Sequence, residues 1–170
     1  MMTRRTMLAA GAAFGAMPLA GLHKAWATGA LTARDIAVSL GARHVYAVGC
    51  ADDAPLVAGQ PVVVEFARET HTLHVGGLVQ PEQAGLLRQI EAALAAMASA
   101  ARPGLTLDDL AAAGRSRLDA PWMHAAAFMA GGASDWRAPL RAGQWIALEA
   151  GVYTPEQRLG GRVRRTLRLA

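Results

Sequence analysis

Leu140-Arg141-Ala142-Gly143-Gln144-Trp145-Ile146-Ala147-Leu148-Glu149-Ala150-Gly151-Val152-Tyr153 is the stretch on which the fold turns. Gln144 to Glu149 is an apolar run closed by one acid, which reads as a strand. Gly151 to Pro155 then reads as a turn, and Gly160-Gly161 introduces a last strand from Arg162 to Leu169. That last strand carries Arg162, Arg164, Arg165 and Arg168, and such a run reads as a solvated face.

Working back toward the N-terminus, Asp119 to Leu140 reads as loops with short strands. It holds Pro121, Trp122, His124, Gly131-Gly132 and Asp135-Trp136. Before it, Thr106 caps a helix whose first turn holds Asp108 and Asp109, where acids complement the helix dipole. Arg102-Pro103-Gly104 separates that helix from a longer one opened by Pro81. Leu86, Leu87, Ile90, Leu94 and Met97 form the apolar stripe of the longer helix. Pro61 to Ala67 and Thr70 to Val75 read as two more strands, the second closed by Gly76-Gly77, and Arg43 to Val48 as a third. Thr32 with Asp35 starts a short helix that Gly41 ends. Helices and strands thus come in clusters, and the class is α+β.

Residues 1–27 are set aside as an export signal. Arg4-Arg5 precede an apolar run of about 15 residues, too short to span a bilayer comfortably. Lys24 and Ala25-Trp26-Ala27 follow, the latter a small-x-small cleavage site. The arginine pair resembles the address read by the twin-arginine translocase. The expected working protein is therefore a single domain, residues 28–170, outside the cytoplasm in the periplasm or beyond. The whole chain has 17 basic and 13 acidic side chains. Without Arg4, Arg5 and Lys24, 14 basic side chains face 13 acidic ones. Such a balance gives no general case for nucleic acid. Cys50 is the only cysteine, so it has no internal partner, and burial is expected for it.

Four segments together resemble the creatinase/aminopeptidase family of pita-bread enzymes. They are Gly59 to Ala67, Thr72 to Gly76, Pro81 to Thr106, and the Leu140 to Tyr153 stretch with its late Glu149. Gly161-Arg162-Val163 with Thr166 is similar to the family's terminal strand. The resemblance implies a reduced pita-bread domain, a curved antiparallel sheet flanked by helices.

In active metallopeptidases of that family, two Asp, one His and two Glu hold two divalent metals around a bridging water. Carried over, the first Asp falls on Glu65, the His on His124 and the first Glu on Glu149. The second Asp has no counterpart in the shortened hairpin through Arg68, Glu69, Thr70 and His71. The last Glu falls near Arg164-Arg165, and a guanidinium repels a cation. No metal and no other cofactor is therefore expected. Glu65 and Glu149 should share a cleft, with one of them paired to Arg162 or Arg164. His71 and His74, three apart on a strand, are expected on opposite faces. Trp122, Trp136 and Trp145 are expected as core or cleft wall.

The expected function is that of an exported, degenerate relative acting as a binding or partner protein. Its ligand would be a small polar molecule or a peptide. A homodimer or a co-exported subunit would be the partner, with the translocase engaged during export and no nucleic acid. The alternative is a metal-independent C–N hydrolase on a small amidine, amide or dipeptide. The family's metal-free members resemble this chain in Glu65 and in Ser134-Asp135-Trp136. There Glu65 and Glu149 would orient substrate and His124 would move protons. A working metallo-aminopeptidase is the third reading.

Overall fold

Thr32 and Thr106 each accept a hydrogen bond from the backbone N–H three residues on. The Asp at that position accepts one from the threonine N–H in return. These reciprocal caps satisfy donors that a helix start otherwise leaves bare. They open α1 (Ala33–Leu40) and α3 (Leu107–Arg115). Between them runs α2 (Pro81–Ala100), with proline at its first position. The computed structural model describes residues 31–75, 79–130 and 135–170. The signal segment, the Gly76-Gly77 strand end and Gly131, Gly132 and Ser134 lie outside the described residues.

Six strands complete the described architecture: β1 (His44–Ala47), β2 (Pro61–Glu65), β3 (Thr70–His74), β4 (Trp122–Met129), β5 (Trp145–Thr154) and β6 (Leu159–Arg168). They form one antiparallel sheet in the order β1-β2-β3-β6-β5-β4. The three described helices lie against one face of it. Ile90, Leu94 and Met97 of α2 and Leu107 and Leu110 of α3 bury against Ile146, Leu148 and Val152 of β5. A second cluster joins Ile36 and Leu40 of α1 to Val45, Val62 and Val64.

The sheet is curved, and one contact shows how strongly. β1 and β5 are four strands apart, about 19 Å if the sheet were flat. Yet the Tyr46 and Tyr153 hydroxyls lie 3.2 Å from each other across the helix-free face. Only a sheet curled toward that face brings them together, so the face is concave.

Two expectations are corrected here. Trp122 to Met129 is a continuous eight-residue strand, where loops with short strands were expected. It pairs along its whole length with β5, and that tertiary pairing overrides the weak β propensity of three successive alanines. β5 likewise runs through Gly151 to Thr154, where a turn was expected. The turn comes later, at a short 3₁₀ segment (Pro155–Gln157). Gly151 is needed inside the strand because a Cβ there would collide with the His124 ring.

Candidate functional site

Side-chain alternation places alternate residues of each strand on the concave face. Registers align Ala126, Glu149 and Arg164 in one row, and His124, Gly151 and Arg162 in the next. Arg164 faces Thr70 across β6–β3, and Thr70 faces Glu65 across β3–β2. Glu65, Glu149 and His124 therefore lie on the same face.

Glu149 is the centre of the arrangement. Its side chain is only 8% exposed, and a buried carboxylate needs partners. Arg164 supplies two, with Nε donating at 2.8 Å and Nη2 lying 2.7 Å from Oε2. His124 Nε2 lies 3.2 Å from the other oxygen. Burial pushes the Glu149 carboxyl up, but the bonds from His124 and Arg164 outweigh it and hold the group below the ordinary carboxylate value. Arg162 is ion-paired with Glu65 and places Nη1 at 3.9 Å from Glu149. Two carboxylates and two guanidiniums thus alternate across the cleft.

Aromatic rings frame these charges. Arg162 sits over the Tyr46 ring at 5.6 Å and Arg164 over Phe128 at 5.4 Å, both within cation–π range. Tyr153 stacks on His124 at 6.1 Å. Burial, above all, pushes the Tyr153 phenol far up, so it stays a neutral donor at any working pH. Thr72 ties the centre of the face together. Its hydroxyl accepts from the Arg162 N–H at 2.9 Å and donates to the Arg162 carbonyl at 3.0 Å. Thr72 and Tyr153 entered the sequence reading only as members of the resembling segments, and Tyr46 and Phe128 carried no signal, because each is an ordinary strand residue until the curvature turns it inward.

The expected ion pair is present, and in duplicate: Glu149 with Arg164, and Glu65 with Arg162. His71 and His74 diverge as expected. His71 meets Glu69 at 3.1 Å, and His74 meets Gln83 of α2 at 3.0 Å. Only the core half of the tryptophan expectation is corrected, since Trp122, Trp136 and Trp145 are all exposed, while Trp145 does lie on the concave face. Cys50 is half-buried, not buried, at the rim of the α1 cluster.

His74 gives the pH prediction. Burial lowers its pKa below the ordinary 6.5, so the unfolded chain takes up its proton first on acidification. Stability is therefore lost as pH falls from 6.5 toward the lowered value. Urea unfolding at pH 7 and pH 5 is expected to show that loss, and His74→Gln to reduce it.

A pair of divalent cations would need clustered anionic oxygens. Among the described residues, no group of three or more His, Cys, Asp or Glu side chains could hold a metal ion. Both carboxylates of the face are already engaged by guanidiniums. Among the described residues, the concave face does not fit a dinuclear metal centre.

Solved structures show the same architecture. The X-Pro aminopeptidase of Thermotoga maritima superposes with a TM-score of 0.71 at 17% identity, covering 88% of this chain and 54% of that one. The prolidase of Pyrococcus furiosus gives 0.64 at 17% identity, covering 84% and 54%. The Xaa-Pro dipeptidase of Bacillus anthracis gives 0.64 at 14% identity, covering 89% and 54%. This is the pita-bread fold. No protein-family model matches the chain, and no curated protein matches it in sequence. The chain spans about half the length of the solved structures it matches. In this pita-bread sheet, the concave face holds the Glu149–Arg164 and Glu65–Arg162 pairs.

Proposed function

We propose that the chain is a degenerate relative of the aminopeptidase P and prolidase enzymes, binding a small polar molecule or a peptide on its concave face without a metal. One observation carries the reading: Arg164 forms a two-point bond to Glu149, near the Arg164-Arg165 place where the resemblance calls for the last acidic ligand. A fixed guanidinium supplies the positive charge that a dication would supply, and it excludes the dication by repulsion. In this reading the protein is exported by the twin-arginine route. It works outside the cytoplasm as a homodimer or beside a co-exported subunit.

A second reading draws on His124. Its ring is about one-third exposed and is held by a buried carboxylate at 3.2 Å. That contact orients the ring, and an oriented imidazole open to solvent suits a proton carrier for metal-independent C–N hydrolysis. Two measurements on purified protein separate these readings. Elemental analysis after incubation with Mn, Co or Zn is expected to find far less than one equivalent per chain. About two equivalents would overturn the proposal. Turnover of amides or dipeptides that resists chelators and disappears in His124→Ala would favour the hydrolase.

A further inference from the structure

Beyond Glu149, the concave face ends in a second cluster that meets the ion pairs only through Arg164. Trp145 stands opposite Arg168 across β5–β6, on the same face as Arg164. One row inward, the Phe128 ring has the Arg164 guanidinium at 5.4 Å and the Trp136 ring edge-on at 6.4 Å. Trp136 is 41% exposed and Trp145 54%. Single exposed apolar residues need no explanation. Two tryptophans beside a ring–guanidinium stack form a patch that does.

This end is also cationic. Arg168 donates Nε to the Gly143 carbonyl at 3.2 Å. Among the described residues, no carboxylate forms an ion pair with Arg68, Arg137, Arg141 or Arg168. Backbone contacts place Arg68 and Arg141 at this end. Thr166 donates to the Arg68 carbonyl at 3.1 Å, and Arg141 lies in the turn that leads into Trp145, bonded to Gln144 at 2.6 Å. Arg137 follows Trp136 directly. Of the nearby acids, Glu69 is engaged by His71 and Asp135 by the Arg137 N–H, and Asp108, whose N–H meets the Trp136 carbonyl at 3.2 Å, lies in the first turn of α3. The middle of the face, by contrast, is balanced by its two ion pairs.

The geometry points to a docking shelf for an acidic peptide, with a ligand carboxylate on Arg168 and an adjoining ring on Trp145 and Trp136. The rest of the peptide runs over the balanced rows at Arg164–Glu149. This rests on the binding reading above and names its ligand class. Charge complementarity selects the occupant. A polyphosphate chain carries charge along its whole length and would meet Glu65 and Glu149. A peptide concentrates charge at chosen side chains and offers neutral amides elsewhere. From Trp145 to Tyr153 the floor is about 27 Å long, which suits an extended peptide of about eight residues.

The test titrates the purified chain with three probes, by calorimetry and by tryptophan emission. The first is a capped octapeptide with two glutamates beside a phenylalanine. The second is the same peptide with lysines in place of the glutamates, and the third is an oligothymidylate. The acidic peptide is expected to bind about tenfold tighter than its lysine counterpart. Arg168→Gln is expected to erase that difference, and Trp145→Ala to weaken the acidic peptide about tenfold. Both positions are exposed, so the fold should survive, as circular dichroism would verify. Equal binding of the two peptides, tightest binding of the oligothymidylate, or indifference to both substitutions would overturn the shelf. The metal analysis above judges the binding reading separately, because metal content does not depend on Arg168 or Trp145.

Discussion

Arg164→Leu is expected to destabilise the protein by about 3 kcal/mol, the loss found when one partner of a buried ion pair is removed. Glu149, 8% exposed, would keep only the His124 bond and the distant Arg162 Nη1. Leucine offers the carboxylate nothing, and the missing guanidinium also uncovers the Phe128 ring beneath it. For a chain of this length the melting temperature should fall by roughly 10 °C. Removing both charges in Glu149→Gln/Arg164→Leu should cost less than the sum of the singles, since no charge is then left unpaired. Urea unfolding of the three variants measures this coupling. A loss below about 1 kcal/mol for Arg164→Leu would mean that the pair behaves like an exposed one. The electrostatic basis of the proposed function would then fail.

Glu65 and Glu149 were legible in the sequence because each is a charge inside an apolar strand, which demands a partner. The arginine run of the last strand read as a solvated face, although Arg162 and Arg164 turn into the cleft. Pairing them correctly required only that they share a face, and period-two alternation supplies that once the registers are known. The helices were legible for a local reason: the Thr-x-x-Asp caps and Pro81 act within a single turn. The strand Trp122–Met129 was not legible, because its alanines favour helix and its stability comes from β5, far along the chain. Gly151 misled in the same way. Glycine in a strand usually marks a break, and here it makes room for the ring of His124 on the neighbouring strand.

The curvature was the hardest part to read. It brings Tyr46 from the first strand against Tyr153 from the fifth, 107 residues later. The local device that permits it lies between β3 and β6. There Thr72 exchanges side-chain hydrogen bonds with the Arg162 backbone, and Gly161 leaves space for the threonine. Ladder pairing in that seam is reduced to Thr70 with Arg164. Nothing in the pattern of Thr-His-Thr-Leu-His announces such a seam.

Gln83→Leu should be at least as damaging as the loss of Arg164. Gln83 follows Glu82 in the first turn of α2, and it drew no attention there. In the fold it is fully buried. Its Oε1 accepts from the Gly160 N–H at 2.7 Å, and its Nε2 donates to the Gly160 carbonyl at 2.8 Å. The same amide nitrogen reaches His74 Nε2 at 3.0 Å. One side chain thus joins α2, β3 and the start of β6, where Gly160 adopts φ 133, a conformation that favours glycine. Leucine matches the volume but strands a backbone donor, a backbone acceptor and an imidazole away from water. Each such orphan costs about 1–3 kcal/mol, so a total near 4 kcal/mol is expected. Gln83→Glu, which keeps the acceptor and can donate only when protonated, should recover stability as the pH is lowered. Thermal and urea unfolding of both variants provide the check. A loss under about 1 kcal/mol for Gln83→Leu would show that water replaces the amide, and that β6 is anchored by the ion pairs of the cleft instead.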